Sequence, residues 1–347
     1  MNAERLGPLS EGALQGALDC AARARVGVLG DLCLDMYWLC DLKRSELSRE
    51  TPHFPLPVVE ERASPGGAGN VLSNVAALTG RAPVALGVLG EDWRGGLLRE
   101  ALTRAGVDAS QLVQGPGVVT PTYIKPLRRG ISQVVYEDPR LDFANYQELP
   151  EALEARLLSQ LDAVAGQLDA LCVSDQLLMG CVTPRVRERV LALSRAGLTV
   201  VVDSRDRVGL YRDVVVKPNE VEAMRALGRP VEDSEQPEAM AQAALELSAQ
   251  CGRPALVTWG DKGCLLAEGG AVCLLPGCPV PPPIDIVGAG DTFLSAFASA
   301  LGGGCPARDA ARLANLASSV TVAKVGTTGT ASPAEIRAAW ARQIAAE

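Results

Sequence analysis

Residues 285–293 read Asp-Ile-Val-Gly-Ala-Gly-Asp-Thr-Phe and continue into an apolar stretch. This order predicts a loop of small residues that meets the N-terminus of a helix. At such a junction the amides of Gly288, Ala289 and Gly290, with the positive end of the helix dipole, can face one bound anion. The carboxylate of Asp291 stands at the same point. An acid beside an anion site indicates a general base next to a phosphoryl group, although an Asp at a helix start can equally be an N-cap.

Two polar side chains follow a short apolar run further upstream. Asn219 and Glu222 come after the valines at 214–216, where a strand should give way to a helix. Residues three apart share a helix face, and a carbonyl oxygen beside a carboxylate suits Mg²⁺, which prefers oxygen ligands and keeps several waters. The same pair could instead form an ordinary capping box.

A glycine-rich turn precedes another predicted helix. Residues 65–70 read Pro-Gly-Gly-Ala-Gly-Asn, and apolar residues follow at helical spacing. Glycine allows a ligand to approach the backbone closely, and Asn70 offers both a donor and an acceptor. The turn is therefore a third candidate binding element.

The second half of the chain alternates between helical and strand patterns. After Glu148, helices are predicted over 151–167, 184–196 and 239–249 and from Glu220, and strands over 170–174, 199–203, 213–216 and 255–259. Near the start of the chain, a helix over 9–23 precedes a first strand over 26–29. Such alternation predicts parallel pairing with right-handed crossovers, and ligands of these sheets gather beyond the carboxyl ends of the strands. Since Asp203, Asn219 and Thr258 fall at or just after strand ends, we expect them to converge with the loop at Gly288.

Two segments do not fit this alternation. Residues 36–60 lose helical periodicity, pass through a proline-rich stretch and do not resemble core. Residues 118–138 contain two predicted strands, 120–124 and 132–136, joined by a basic turn at 128–130.

The composition favours an aliphatic core. Of 347 residues, 48% are hydrophobic but only 4% aromatic, which suits a buried parallel sheet covered by helices. A net charge of −8 argues against nucleic acid or a membrane surface as a partner. No apolar run approaches the ~20 residues of a membrane span, and the first residues lack a signal-peptide pattern, so we expect a cytoplasmic protein.

Ten cysteines are present, but none forms a C-x-x-C pair, and the sole histidine is His53. A zinc site is therefore disfavoured. Because most of these cysteines lie in apolar segments, we expect reduced, buried thiols.

In order and spacing, five motifs resemble the ribokinase-like (PfkB) carbohydrate kinase family. They are Gly-Asp-Leu-Cys-Leu-Asp at 30–35, Gly-Gly at 66–67, Asn-x-x-Glu at 219–222, Val-Thr-Trp-Gly-Asp-Lys-Gly at 257–263 and Gly-Ala-Gly-Asp at 288–291. The resemblance extends over nearly the whole chain. It implies one domain over 1–347 with a ribokinase-like α/β three-layer sandwich: a mostly parallel central sheet, helices on both faces, and a small β lid from about 36–60 and 118–138.

The resemblance also implies roles in catalysis and sugar binding. Asp291 would accept the proton of a sugar hydroxyl while the amides of Gly288, Ala289 and Gly290 hold the γ-phosphoryl oxygens of ATP. The wall of the sugar site would consist of Asp35, Gly66, Gly67 and Asn70. Asp31 could help there or could simply form a turn.

For the nucleotide, the resemblance implies that Thr258, Gly260 and Gly263 flank the ribose and phosphates, and that Asn315 lines the adenine. Asn315 stands among alanines and could equally be a packing polar group. Mg²⁺ would bridge the triphosphate near Asn219 and Glu222 through water. Asp285 and the carbonyl of Val287 resemble a monovalent-cation site of some relatives, which makes K⁺ a candidate ion.

Within the family, residues 30–38 and 57–68 are most similar to kinases of D-glycero-D-manno-heptose 7-phosphate. A sugar phosphate calls for a cation at its far end, and the candidates are Lys125, Arg128, Arg129 and Arg140, although charged lid residues are often merely solvated. The Arg-x-Asp pattern of those kinases recurs at 140–142, but their paired glutamines are absent.

Other functions fit the same motifs. The alternatives are a ribokinase- or fructokinase-like kinase of a neutral sugar, a nucleoside kinase that uses Tyr123, Tyr136 and Phe143, and a non-catalytic ligand-binding protein on the same scaffold. An exposed lid-strand edge also predicts a homodimer, because pairing across two copies would cover open hydrogen-bonding groups.

Overall fold

A computed structural model describes residues 3–130, 134–326 and 328–346. The strands are β1 Glu4–Arg5, β2 Val26–Gly30, β3 Leu32–Asp41, β4 Val58–Gly67, β5 Val84–Leu86, β6 Val88–Gly90, β7 Val113–Gly115, β8 Thr122–Arg129, β9 Val135–Glu137, β10 Leu141–Phe143, β11 Ala170–Asp175, β12 Thr199–Ser204, β13 Val215–Val216, β14 Ala255–Thr258, β15 Gly263–Glu268 and β16 Ala271–Pro276. The helices are α1 Glu11–Arg23, α2 Ala68–Thr79, α3 Trp93–Arg104, α4 Glu151–Ala165, α5 Pro184–Arg195, α6 Glu220–Ala226, α7 Pro237–Cys251, α8 Ala289–Gly302, α9 Ala307–Val322 and α10 Pro333–Ala346.

Nine strands form the central sheet in the order β1-β16-β15-β14-β13-β12-β11-β2-β5. From β14 to β5 every neighbouring pair is parallel, as the alternation predicts. The hairpin of β15 and β16 was not predicted. Its strands pair antiparallel with each other and with β14, whereas β16 pairs parallel with β1. Its strands are continuous apolar runs, which carry no period that separates a buried strand from a buried helix.

Successive side chains along the strands of the central sheet point to opposite faces, and each face packs into its own hydrophobic cluster. Ala170 and Cys172 of β11 face a cluster formed largely with α1, α2, α8 and α9, whereas Leu171 and Val173 face a cluster with α4, α5, α6 and α7. Helices therefore cover both faces of a mostly parallel sheet, and the predicted three-layer α/β fold is confirmed.

A second sheet contains β10, β8, β3 and β4 in that order, with β9 also paired to β8. Two local expectations about it were wrong. Met36 and Cys40 of β3 are fully buried, because alternate side chains of this long strand point into the molecule. Arg128 and Arg129 belong to β8 itself rather than to a turn, while residues 131–133 of the second predicted strand lie outside the described residues.

Several predicted features agree with the structure. Ser10 caps α1 by accepting the amide hydrogen of Ala13 at 3.2 Å. All ten cysteines are free thiols, and only Cys278 is not fully buried. Within the described ranges, none of the helices has both the length and the apolar character needed to cross a bilayer.

Candidate active site

The predicted polar residues meet at the carboxyl edge of the central sheet. Asn219 forms an isolated parallel bridge with Thr258, so the ends of β13 and β14 lie side by side. The Thr258 amide donates to Pro218 O at 3.0 Å. Because parallel strands end at the same edge, Asp203 at the end of β12 is close to both.

Gly288 is the N-cap of α8 and adopts a left-handed conformation, with φ of 81°. A methyl group in place of its hydrogen would lie 2.6 Å from Asn70 Nδ2. Glycine is therefore required twice, for the backbone angle and for contact with α2. Asp291 is the third residue of the helix, so the alternative in which it serves as the N-cap is wrong.

The carboxylate of Asp291 is held from another helix. Asn70 Nδ2 donates to Asp291 Oδ2 at 2.7 Å. Asn70 Oδ1 accepts from Asn74 Nδ2 at 3.2 Å, and Asn74 Oδ1 accepts from the Thr292 hydroxyl at 3.0 Å. This chain of amides fixes the orientation of Asp291. Asn74 was not predicted, because its partner Thr292 is 218 residues away along the chain.

Burial raises the pKa of Asp291 to about 7. The hydrogen bond from Asn70 and the charge of Lys217 lower this pKa, while the charges of Asp203 and Asp35 raise it. A carboxyl group with this pKa can exchange a proton near neutral pH, which suits a general base.

The backbone amides at the start of α8 differ in whether they donate a hydrogen bond to a backbone carbonyl. The Ala289 amide donates to Ile286 O at 3.2 Å, and the Thr292 amide donates to Gly288 O at 3.0 Å. Within the described residues, the amides of Gly288, Gly290 and Asp291 have no such acceptor. In the predicted anion site, the amides of Gly288 and Gly290 are therefore available to a ligand. The Ala289 amide would first have to break its hydrogen bond to Ile286 O.

Two residues of the predicted sugar wall are in contact. A methyl group on Gly66 would lie 2.5 Å from Asp35 Oδ2, so the carboxylate lies directly against this glycine. Gly67 caps α2 with φ of 55°. Burial raises the pKa of Asp35, and the charges of Lys125 and Arg140 partly offset this increase. Asp31, in contrast, is buried and accepts the amides of Gln176, Leu177 and Cys181, so it holds a loop in place.

The start of α6 carries a complete capping box. Asn219 Oδ1 accepts the Glu222 amide at 2.8 Å, and Glu222 Oε2 accepts the Asn219 amide at 2.8 Å. Burial and the nearby charge of Asp203 nevertheless raise the pKa of Glu222 to about 7. The capping arrangement is therefore present, and the Glu222 carboxylate also lies near the charge of Asp203.

A buried lysine lies among these acids. Lys217 Nζ is 3.0 Å from Asp203 Oδ2, and the lysine side chain is only 3% exposed. A methyl group on Gly290 would lie 3.6 Å from the same Nζ. Lys217 was not predicted, because its partner Asp203 lies at the end of the neighbouring strand β12.

The predicted nucleotide residues fall into two groups. Thr258, Gly260 and Gly263 follow one another through the turn after β14, next to Asn219. Asn315 lies on α9, donates to Pro276 O at 2.6 Å and lines a cavity of about 820 Å³. The side-chain amide of Asn315 therefore donates an internal hydrogen bond, and the residue also lines the cavity.

Asp285 organises the loop before α8. Its Oδ1 accepts the Val287 amide at 3.0 Å and its Oδ2 accepts the Gly326 amide at 2.9 Å. Both carboxylate oxygens therefore tie the loop together, and a bound cation would share them.

The sequence pattern of "pfkB family carbohydrate kinase" matches residues 37–335. This chain belongs to the pfkB family. It is accordingly an ATP-dependent phosphotransferase that acts on a sugar hydroxyl, as the resemblance of its motifs implies.

Among similar proteins, the bifunctional protein HldE of Geobacter sulfurreducens is 36% identical over 315 residues, which cover 89% of this pfkB kinase and 61% of that protein. HldE of Alkalilimnicola ehrlichii is 34% identical over 327 residues, covering 92% and 64%. The chain spans about three fifths of the length of these curated relatives.

Solved structures support the fold. Phosphofructokinase-2 from Escherichia coli in complex with substrates and products superimposes with a TM-score of 0.72 at 20% identity, covering 92% of this kinase and 99% of that chain. Ribokinase from Arabidopsis thaliana complexed with ribose and ATP gives a TM-score of 0.69 at 21% identity, covering 91% and 98%.

Most of the basic residues predicted near the lid form ion pairs with carboxylates of this pfkB kinase. Arg128 pairs with Asp138 at 3.1 Å, Arg129 with Asp41 at 3.8 Å, and Arg140 with Asp142 at 2.6 Å. Lys125 instead contacts the Tyr37 hydroxyl at 3.2 Å.

Arg205 was not predicted. It follows β12, is exposed, and its charge lowers the pKa of both Tyr123 in β8 and Glu222 in α6. It therefore lies near both the second sheet and the acids. Only its position beside Asp203 at a strand end could have indicated this from the sequence.

Proposed function

We propose that Asp291 is the general base of this kinase. The observation that carries the proposal is its placement: a carboxylate with a raised pKa stands in the first turn of α8, beside the amides of Gly288 and Gly290, which have no backbone acceptor among the residues that the structure describes. The sugar hydroxyl oxygen attacks the γ-phosphorus of ATP while Asp291 takes the hydroxyl proton. The bond from the γ-phosphorus to its bridging oxygen breaks, and ADP leaves. Positioning and charge neutralisation supply most of the catalysis in such transfers.

The acids near α6 fit a divalent cation. The charge of Asp203 raises the pKa of both Glu222 and Asp291, and the ammonium of Lys217 lowers the pKa of both. Mg²⁺ would neutralise phosphate charge when bound, held near Asn219 and Glu222 through water. Among the residues the structure describes, no group of three His, Cys, Asp or Glu side chains could ligate a metal directly, which favours a water-mediated site.

Nucleotide binding is proposed for the turn of Thr258, Gly260 and Gly263 and for the cavity at Asn315. Ser318 Oγ on the next turn of α9 donates to Ala289 O at 3.0 Å, which connects the cavity wall to the start of α8. A nucleotide could therefore extend from the cavity toward the anion site.

A potassium site is proposed at Asp285 and the carbonyl of Val287. The loop they form leads directly into α8, and a neighbouring fold, Escherichia coli phosphofructokinase-2, has been solved in complex with potassium. Replacing K⁺ with tetramethylammonium should lower turnover at fixed Mg²⁺. An unchanged rate would remove this ion from the proposal.

For the substrate, we propose O1 of D-glycero-D-manno-heptose 7-phosphate or a similar sugar phosphate. The similarity of residues 30–38 and 57–68 to kinases of that sugar supports the proposal. Lys125 and Arg140 also lie near enough to Asp35 to lower its pKa, so positive charge flanks the sugar wall. The second sheet would act as the lid over this sugar within a single domain.

A neutral sugar is the second candidate, because Arg128, Arg129 and Arg140 already have carboxylate partners. ADP release with Mg²⁺ should be measured for a panel that includes heptose 7-phosphate, fructose 6-phosphate, ribose and fructose. Rapid turnover of ribose or fructose, with none of the sugar phosphates, would reverse the substrate assignment. Turnover of no sugar at all would favour a non-catalytic ligand-binding protein.

A homodimer through the second sheet is also proposed. Its edge strands expose large apolar side chains, including Val58 at 47%, Tyr136 at 55% and Leu141 at 48%. Val58 lies at one edge of the sheet and Tyr136 and Leu141 lie at the other, and a paired copy would cover one open edge. Light scattering at micromolar concentration should give twice the mass of one chain, and a monomer mass would contradict the proposal.

A further inference from the structure

The cavity beside Asn315 has a basic end that the proposed nucleotide site does not use. Three arginines from separate elements line it: Arg5 of β1, Arg312 of α9 and Arg342 of α10. Among the described residues that line this cavity of about 820 Å³, none carries a carboxylate. The chain as a whole has a net charge of −8, so this positive region opposes the overall balance. Clefts lined by one sign of charge concentrate ions of the opposite sign.

Contacts between distant segments bring the three arginines together. Strand β1 pairs with β16, which places Arg5 beside Leu274. Leu6 and Leu9, in the segment that follows, are buried. Trp340 Nε1 donates to Leu9 O at 2.8 Å and so fixes α10 against the same segment. The backbone that carries the arginines is therefore held in place by packing.

Arg312 is the least exposed of the three. Its side chain is 23% exposed, whereas Arg5 and Arg342 are exposed residues. Its Nη1 pairs with Asp309 at 3.3 Å. Its Nε is buried and has no hydrogen-bond partner among the residues that the structure describes. A buried donor without a partner is costly, so an acceptor on a ligand in the cavity would satisfy it.

The basic end is separate from the anion site proposed at α8. Ser318 Oγ donates to Ala289 O, so this part of α9 lies beside the start of α8. Arg312 precedes Ser318 by six residues, which corresponds to about 9 Å along a helix. Asn315 lies between them. A phosphate bound at Arg312 would therefore lie beyond the proposed position of the nucleotide base, away from the phosphoryl group that is transferred.

We propose that this basic end binds the phosphate of a second molecule, a phosphate monoester that is neither ATP nor the sugar being phosphorylated. Guanidinium groups match phosphate oxygens through paired, charge-assisted hydrogen bonds. Arg312 Nε and the guanidinium groups of Arg5 and Arg342 bind the phosphate. Pro8 and Leu316, on the apolar wall of the cavity, contact the organic part. Inorganic phosphate has the same binding chemistry and is the other source of such an anion.

Calorimetric titrations with phenyl phosphate and with inorganic phosphate test the proposal. They are made at constant ionic strength with saturating MgATP and no sugar, so that the γ-phosphoryl group fills the anion site at α8. Phenyl phosphate has no alcohol group for the kinase to phosphorylate. We expect both anions to bind, phenyl phosphate more tightly if a monoester is the natural ligand and equally if free phosphate is. Binding of neither anion would overturn the proposal.

Variants locate the site. R312M should weaken phosphate binding by about tenfold or more, as expected for the loss of a charge-assisted hydrogen bond. R342M changes an exposed residue of α10 and should weaken binding severalfold without disturbing the core. R308M is the matched control, because Arg308 is on the same helix as Arg312, pairs with Glu4 at 3.1 Å and does not line the cavity.

Equal weakening in R308M and R312M would mean general attraction by charge and would overturn the proposal. If R312M does not fold, the comparison of R342M with R308M decides alone.

This test does not depend on catalysis. If the chain phosphorylates no sugar but binds phosphate through its arginines, the proposed function fails and the anion site stands. If ATP does not bind, the same titrations without nucleotide still compare R312M and R342M with R308M. Unchanged phosphate affinity in both R312M and R342M overturns the anion site, whatever the kinase activity.

Discussion

Two helices begin at the same edge of the central sheet, and each carries an acid at its third position. Glu222 of α6 and Asp291 of α8 both have a pKa raised to about 7. At α6 the N-cap is Asn219, and a reciprocal capping box satisfies the helix end from within. At α8 the N-cap is Gly288, which has no side chain. The carboxylate of Asp291 instead accepts a hydrogen bond from Asn70 of α2, a helix far away in the sequence. One residue at the cap therefore decides whether a helix end is closed by itself or left open for a ligand.

The strongest test of this contrast is D291N. We expect kcat to fall by about 10²–10⁴, because the amide cannot accept the hydroxyl proton. Thermal stability at pH 8 should rise. The folded-state pKa lies above the unfolded value, so ionisation of Asp291 weakens folding as pH increases toward and through about 7.

Asp309 provides a matched control, since it is also an acid in the first turn of its helix and pairs with Arg312 at 3.3 Å. D309N should leave kcat unchanged. Near-normal turnover in D291N would exclude Asp291 as the base, and a lower melting temperature at pH 8 would contradict the raised pKa.

The second test adds a methyl group at the open cap. G288A should lose turnover by more than tenfold, because the new methyl would meet Asn70 Nδ2 at 2.6 Å and displace the loop. It should also lose about 1–2 kcal/mol of unfolding free energy from the left-handed backbone. G80A is the control: Gly80 has φ of 67° with open space around it. Equal turnover in the two variants would show that the contact with Asn70 is unimportant.

The third test removes the hydrogen bond that Asn70 donates to Asp291. The hydrogen bond from Asn70 lowers the pKa of Asp291, so N70A should raise that pKa. The acidic limb of kcat/KM, expected near pH 7 in the wild type, should then move to higher pH by about one pH unit. A profile that does not move, or moves to lower pH, would mean that another group controls it, with Glu222 the first to examine.

The smallest effect is expected at the closed helix end. N219A removes the side-chain cap of α6 and should cost about 1 kcal/mol of unfolding free energy. Urea unfolding monitored by circular dichroism would measure it. Loss of turnover as large as that of D291N would mean that Asn219 does more than cap the helix and contact Mg²⁺.

Much of the fold could be predicted because its signals are local. Helix α5 was placed to within one residue, since Thr183 and Pro184 mark its start. The antiparallel β15 and β16 were missed because a fully buried strand has no alternation to detect.

The site was predictable where it depends on motifs and not where it depends on pairings across the sheet. The loop at Gly288, the turn at Gly66 and the pair at Asn219 were located from the sequence. Lys217 and Asn74 were not, because each acquires its role from a partner far along the chain. Which amides of the loop stay open also depends on turn geometry that the sequence does not specify.

One junction in the second sheet has a mechanical consequence. Strand β4 ends at Gly67 and α2 starts at Ala68, with no connecting loop to absorb movement. Asn70, in the first turn of that helix, donates a hydrogen bond to Asp291. A tilt of β4 on docking of a sugar would therefore reach Asp291, the proposed proton acceptor, so that occupancy of the proposed sugar site would be coupled to alignment of the acid.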